Sequence, residues 1–365
     1  MPKCWQCVLF VFRIEFSTII AARQYIHQSN FMNTKINATI TAVGGYVPET
    51  VLDNAALEKM VDTSDEWIIT RTGIKERRIL EKGKATSDMA AYAIQNLLEK
   101  SGVNPEEIEV LILSTSTPDN LLSPTAPLAC VKAGLKNAWG FDLNAACSGF
   151  LYALSVAASL VESGRHKKVL LVGADKMSAI VNYEDRNTCV LFGDGAGAVL
   201  LEPSQDGTGV LDTVYKSDGS GVEFLSVPAG GSAEGTGQQT LDDKRHYVQQ
   251  DGRTVFKNAI NGMTSASNEL LQKLDITTED INWVVPHQAN LRIIDSVGQN
   301  LGIPKEKVKV NIERYGNTTA ATLPLCLWDF HNDFKPGDKI LLTAFGAGFT
   351  WGSTCVVWGN LRNYN

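Results

Sequence analysis

Asp142-Leu143-Asn144-Ala145-Ala146-Cys147-Ser148-Gly149-Phe150 joins a strand-like run to a long apolar segment, and the layering of the chain follows from that junction. Beyond Cys147, the residues Phe150, Leu151, Ala153, Leu154, Val156, Ala157, Ala158, Leu160 and Val161 leave almost no polar face before Glu162. A helix that is apolar all round is buried on every side. The stretch therefore predicts a central helix covered by other layers, with a cysteine at its start. Gly164 and the basic run Arg165-His166-Lys167-Lys168 mark its exposed end, which makes His166 a surface residue.

Outward from this helix, Val110–Leu113, Val169–Val172 and Trp283–Val285 are short, continuous apolar runs. Such runs fit parallel strands covered on both faces. Helical patterns such as Ser87–Lys100 lie between them, so the class is α/β. Phe192-Gly193-Asp194-Gly195-Ala196-Gly197 is echoed by Phe345-Gly346-Ala347-Gly348-Phe349, 153 residues later. Each precedes a strand-like stretch, and each half carries a helix opening shortly after an asparagine, Asn144 or Asn317. The echo is far too long-period for a solenoid and predicts two similar half-domains. The expected division is a leader over residues 1–31, one half over 32–205 and a second over 206–365. Pro228–Gly237 is expected to be a loop, with a mobile cover over a site as its functional reading.

The 365 residues carry a net charge of −7. That excludes a general nucleic-acid binder, which needs a basic face. Seven cysteines, an odd and scattered set, fit free thiols in a reducing compartment better than a disulfide framework. Cys4 and Cys7 form a lone C-x-x-C without a second pair, too little for a metal site. No stretch reaches the roughly 18 apolar residues of a membrane span. The expected location is cytoplasmic.

Cys147, His287 and Asn317 share one context: a strand end, a tight loop, a helix start. Alone, a cysteine here is more readily structural than reactive. At a helix N-terminus, however, the macrodipole favours thiolate, and catalytic groups in open α/β folds gather at carboxyl ends of strands. A cysteine can attack a carbonyl and hold an acyl group as a thioester. Histidine and asparagine N–H groups aimed at one carbonyl oxygen would stabilise the enolate formed by decarboxylation. A histidine acting only as base would instead turn its acceptor nitrogen to the thiol.

The surroundings of Cys147, together with Pro286–Ile293, Tyr315–Ala321, Thr63–Trp67, Arg71–Arg78, Phe192–Gly197 and Ala344–Gly352, resemble β-ketoacyl-[acyl-carrier-protein] synthase III. The resemblance runs from about Met32 to Trp358. It implies a thiolase-like fold of two duplicated α/β halves in five αβαβα layers, and a homodimer. It also implies an initiating condensing enzyme of type II fatty-acid synthesis, which transfers an acyl group, acetyl in the first instance, from coenzyme A to Cys147. Decarboxylative condensation with malonyl-acyl-carrier protein follows, with no metal or redox cofactor. His287 and Asn317 are implied to bind the malonyl thioester oxygen. The backbone N–H groups of Cys147 and Ala347 are implied as the oxyanion hole, although glycine commonly stands at the latter position. Trp67 and Arg186 would sandwich the adenine of coenzyme A, Arg71 and Asn290 would contact the rest, and Gly252 would leave room for the pantetheine arm. Lys257 and Arg292 would dock the acidic carrier, while Gln299 and Asn300 replace a basic pair found in some relatives. Leu122 stands where some relatives place an aromatic that reaches across the dimer to limit the acyl pocket. A priming synthase of a polyketide or related pathway shares this chemistry. A papain-type hydrolase shares the Cys-His-Asn order but lacks its cysteine surroundings here.

Overall fold

The computed structural model describes residues 36–363; the leader and the Cys4/Cys7 pair lie outside the described residues. Two sheets carry the architecture. The first holds β1 (Asn37–Tyr46), β2 (Val110–Ser114), β3 (Trp139–Leu143), β4 (Val169–Asp175) and β5 (Gly195–Ser204), in the order β1-β5-β4-β2-β3. The second holds β6 (Gly209–Ser217), β7 (Trp283–Pro286), β8 (Lys339–Gly346) and β9 (Thr350–Val357), in the order β7-β8-β9-β6. In both sheets the pair β2/β4 or β7/β8 is parallel, and β5 or β9 runs antiparallel to its two neighbours.

The helices repeat with the strands. In the first half α1 (Asp65–Thr72) lies on an excursion, and α2 (Thr86–Ser101) leads into β2. Next, α3 (Thr125–Ala133) precedes β3, and α4 (Gly149–Glu162) precedes β4. In the second half α5 (Gly252–Leu274), α6 (Leu291–Asn300) and α7 (Thr322–Asp329) occupy the matching places. One counterpart is reduced. The pattern of Val308–Ile312 predicts a strand matching β3, yet only a single parallel bridge forms there, between Val308 and Val284. The Gln288 side-chain oxygen accepts from the Asn311 and Ile312 nitrogens at 3.0 and 3.2 Å, which withdraws both donors from a ladder. Ile312–Tyr315 then turns into a short helix.

Side-chain alternation along the strands builds the layers. Val169 and Leu171 of β4, with Ile340 and Leu342 of β8, face a shared core around Phe150, Leu154 and Ala157 of α4 and Leu323 and Leu327 of α7. Leu170 and Val172 face outward onto Met89, Ile94 and Leu97 of α2 and Ala129 of α3. Leu341 and Phe345 face outward onto Met263 and Leu270 of α5 and Val297 of α6. The sequence of layers is α2/α3, first sheet, α4/α7, second sheet, α5/α6, which is αβαβα. The central helix expected from the apolar run is α4; it starts two residues after Cys147. Among the described residues no helix is long and apolar enough to cross a membrane, and the five described cysteines are free thiols.

Candidate active site

The two central helices point their N-termini into one region, and the turns feeding them carry the candidate residues Cys147 and Asn317. After β3, the Asn144 side-chain oxygen accepts from the Ala146 nitrogen at 3.0 Å. This closes a tight turn that holds Ala146 at φ +48°. A short 3₁₀ turn over Ala146–Ser148 then presents Cys147 just ahead of α4. Two bonds tie this turn to the β8–β9 hairpin. Ser148 Oγ donates to the Thr350 carbonyl at 2.8 Å, and Thr350 Oγ1 donates to the Ala145 carbonyl at 2.9 Å. The hairpin comes so close that a Cβ on Gly346 would stand 2.6 Å from the Cys147 nitrogen.

Asn317 is clamped from the other half. Its nitrogen donates to the Leu191 carbonyl at 2.9 Å, and its carbonyl accepts from the Gly193 nitrogen at 3.1 Å. Its side-chain oxygen accepts from the Thr319 nitrogen at 2.9 Å. The hydrogen-bond capacity it brings to the cavity is therefore its amide N–H pair. His287 follows β7 and is 2% exposed. Its Nδ1 lies 2.7 Å from Thr322 Oγ1, whose hydroxyl in turn lies 3.1 Å from the Thr319 carbonyl. A carbonyl can only accept, so the hydroxyl hydrogen goes to it and Nδ1–H donates to the hydroxyl oxygen. That tautomer leaves Nε2 as a bare acceptor. Burial holds the imidazole neutral, with its pKa pushed down to about 3.

Burial also reverses the expectation for the nucleophile. Cys147 is 7% exposed, and desolvation, with the negative Asp175 nearby, pushes its thiol up to about 12. The resting residue is a thiol, so any attack by this sulfur would have to form the thiolate on the way. Asp175, at the end of β4, went unremarked in the sequence. It accepts from Thr115 Oγ1 (3.1 Å), the Ser116 and Thr117 nitrogens (2.7 and 3.1 Å), Thr117 Oγ1 (2.9 Å) and the Ala320 nitrogen (2.9 Å). Burial lifts its carboxyl to about 6 despite those donors. A charged residue closing the wholly apolar run Val169–Ala174 was the available signal. Thr319 and Thr322 were also missed, because hydroxyls beside an asparagine look like ordinary turn chemistry.

Cys147, His287, Asn317 and Ala347 line one cavity of about 900 Å³, together with Trp67, Arg71, Gly252, Asn290 and Arg292. It runs from the buried trio to an exposed mouth where Arg71, Arg253 and Arg292 gather in an otherwise acidic chain. Arg186 lies over the Trp67 ring at 4.5 Å. An inserted base needs about 7 Å between its two neighbours, twice a van der Waals separation, so this pair must part to hold one. Asn290 is engaged structurally: it caps α6 and donates to the Arg71 carbonyl at 2.9 Å. Lys257 is exposed on α5, and Arg292 sits over Phe256 at 5.1 Å. Leu122 is not brought to this cavity; it is 96% exposed. Val222, Leu225, Ser226 and Val227 form part of the cavity wall, whereas Pro228–Gly237 does not line it.

Two family models match, 3-oxoacyl-[acyl-carrier-protein] synthase III over residues 141–219 and its C-terminal counterpart over 271–358. A β-ketoacyl-[acyl-carrier-protein] synthase III of Bacteroides thetaiotaomicron is 54% identical, over 89% of this chain and 97% of its own. The chain belongs to the β-ketoacyl-[acyl-carrier-protein] synthase III family. The Phocaeicola vulgatus synthase III is also 54% identical, over 89% of this chain and 98% of its own. Among solved structures, the Aquifex aeolicus synthase III superposes with a TM-score of 0.81 at 44% identity, covering 88% of this chain and all of that one. The fold is thus thiolase-like. The priming β-ketosynthase of the R1128 polyketide pathway superposes equally well, TM-score 0.81, but at 35% identity, over 88% of this chain and 96% of its own.

Proposed function

We propose that this chain starts fatty-acid chains, taking an acyl group from coenzyme A onto Cys147 and condensing it with malonyl-acyl-carrier protein. One observation carries the reading: two duplicated halves deliver Cys147, His287 and Asn317 to one buried end of a cavity whose mouth is basic. In loading, the Cys147 S–H bond breaks and its proton passes to Nε2 of His287. The sulfur bonds to the acyl carbon, and the departing coenzyme A thiolate takes that proton. Backbone N–H groups of Cys147 and Ala347 hold the tetrahedral oxyanion. In condensation, Asn317 Nδ2–H and His287 hold the malonyl thioester oxygen while carbon dioxide leaves. His287 then needs Nε2–H: the imidazole gives up its Nδ1 proton and takes one at Nε2 by exchange with solvent in the cavity, and the Thr322 hydroxyl turns from the Thr319 carbonyl to donate to the bared Nδ1. The enolate carbon bonds to the acyl carbon, and Cys147 leaves as thiolate and takes a proton from solvent. The scheme calls for no metal or redox group.

Acetyl is the primer assigned here. Trp67, Arg71, Arg186, Gly252 and Asn290 would hold coenzyme A, and Lys257 with Arg292 would meet the acidic carrier, since opposite charge steers docking. A homodimer is part of the reading: β3 is an open sheet edge, and Trp139, Val131, Leu121 and Leu122 are 50, 77, 88 and 96% exposed around it. Edges and apolar patches of this kind are covered in stable proteins. Pairing of β3 with its copy would also explain why Leu122 faces away from its own cavity. Sedimentation of the purified chain tests this, and a monomer at micromolar concentration would remove the dimer.

Intact-protein mass spectrometry after mixing with acetyl-, isobutyryl- or octanoyl-CoA, followed by peptide mapping, tests the whole reading. An acetyl adduct confined to Cys147 is expected. Adducts only from branched or longer donors would keep the chemistry and change the primer. No adduct from any donor would sink the proposal.

A further inference from the structure

Thr319 combines three features that no part of the scheme above uses. It holds φ +54°, where a β-branched residue is rarely found. It is 3% exposed and lines the cavity, yet its Oγ1 has no hydrogen-bond partner among the described residues. Its turn, Thr319–Ala321, packs against the turn that carries Cys147. Backbone strain and an orphaned buried hydroxyl each cost stability. The matching turn of the first half adopts the same positive φ with alanine, Ala146. The conformation therefore does not call for threonine, and the hydroxyl is the part left to explain.

We infer that Thr319 is a further catalytic residue, whose Oγ1–H donates a hydrogen bond to the Cys147 sulfur whenever that sulfur is negatively charged. The inference rests on Cys147 being the acylated nucleophile. The sulfur becomes thiolate twice: as its proton moves to His287 before attack on the primer thioester, and as the C–S bond breaks in condensation. Apart from the His287 Nε2–H formed as the proton moves, no other side-chain donor to this sulfur is found among the described residues, while Asp175 opposes its charge. The Thr319 hydroxyl acts the opposite way and favours thiolate. No competing partner among the described residues holds Oγ1 elsewhere, so it is available to the sulfur throughout the reaction.

The test is the pH profile of Cys147 alkylation by iodoacetamide in the full chain, for wild type, Thr319→Val, Thr319→Ala and Thr319→Ser. A charge-assisted bond predicts about tenfold less thiolate at a given pH without the hydroxyl, a rise of about one pH unit in the profile. Valine keeps the shape and branching of threonine, and alanine is the residue that the matching turn accepts, so at least one variant should fold. Thr319→Ser should restore the profile. Acyl loading should slow about tenfold in Thr319→Val, while decarboxylation of malonyl thioester, which makes no thiolate, should stay within about twofold. An unshifted profile in a folded Thr319→Val or Thr319→Ala variant would overturn the inference, as would equal loss of loading and decarboxylation. Alkylation needs no acyl transfer, so this result stands apart from any failure of the loading test.

Discussion

Residues 144–149 and 317–322 are the same piece of structure used twice, 173 residues apart. In both, an asparagine side chain accepts from the nitrogen two residues on, at 3.0 and 2.9 Å. Both then place a non-glycine residue at positive φ, Ala146 at +48° and Thr319 at +54°. Both enter a 3₁₀ turn and then a central helix, α4 or α7. They differ in which side chain each makes chemical. The first turn leaves Asn144 exposed at the cavity wall and buries a sulfur at its fourth position; the second buries the asparagine and has Ala320 at the fourth. Duplication supplied two equivalent N-termini, and on the proposed reading the one that buries a sulfur carries the nucleophile and the one that buries an amide carries the donor.

The widest separation between the turns should come from paired deletions. Cys147→Ala is expected to abolish loading while leaving malonyl decarboxylation measurable. Asn317→Ala should do the reverse, loading within a few fold and decarboxylation down by about 10²- to 10³-fold, as for loss of one oxyanion donor. Acyl-adduct mass and carbon dioxide release read the two stages separately. If both variants lose both activities equally, the two turns do not divide the reaction.

Next in size is Gly346→Ala, aimed at the hairpin that is hydrogen-bonded to the first turn. Its Cβ would stand 2.6 Å from the Cys147 nitrogen and 3.1 Å from the Ser148 nitrogen, both backbone atoms with little room to yield. Displacing the Cys147 N–H removes an oxyanion donor, so loading should fall about 10²-fold. Decarboxylation, served by the second turn, should fall much less. Equal losses would mean that the hairpin positions both turns.

How much of this was legible in sequence follows from what each feature depends on. Strands buried on both faces write themselves as apolar runs, and a helix buried on all sides leaves no polar stripe, so layers and repeat were readable. Asparagines opening helices announced both turns. The strand expected at Val308–Ile312 failed because Gln288, distant in sequence, takes its backbone donors. The activated thiolate expected at Cys147 failed because a macrodipole argument is local, whereas desolvation and Asp175 come from the assembled fold. The Thr322–His287 bond that sets the imidazole tautomer spans 35 residues and has no local signature.

Acidification offers a smaller effect that separates buried groups on the two sides. His287 has a folded pKa of about 3 against an ordinary 6.5. Between those values the unfolded chain binds a proton that the native protein refuses, so stability falls as pH drops below 6.5. Asp175 runs the other way: its folded value of about 6 lies above an ordinary 3.8, so it costs stability above about pH 6 and returns it as pH falls toward 3.8. His287→Gln keeps the Asp175 contribution and deletes the histidine one. Its melting temperature should therefore decline less than that of wild type between pH 7 and 4. Parallel declines would mean that the imidazole takes up its proton inside the fold.

The smallest expected effect probes the feature the turns share. A left-handed backbone costs an L-residue roughly 1–2 kcal/mol, and glycine avoids that while losing about 0.5–1 kcal/mol of unfolded-chain entropy. Ala146→Gly should therefore stabilise by about 0.5–1 kcal/mol, a rise of about 1–3 °C in melting temperature for a chain of this size. It also removes a Cβ that restricts the backbone holding Cys147. Loading should slow modestly, by about twofold to fivefold, because a looser turn presents the sulfur less often in attack geometry. Decarboxylation should not change, since the second turn keeps Thr319. A rise in stability without slower loading would show that the Asn144 bond and the Thr350 hairpin alone hold the nucleophile. The positive φ at Ala146 would then be a consequence of the duplicated turn and no part of its catalysis.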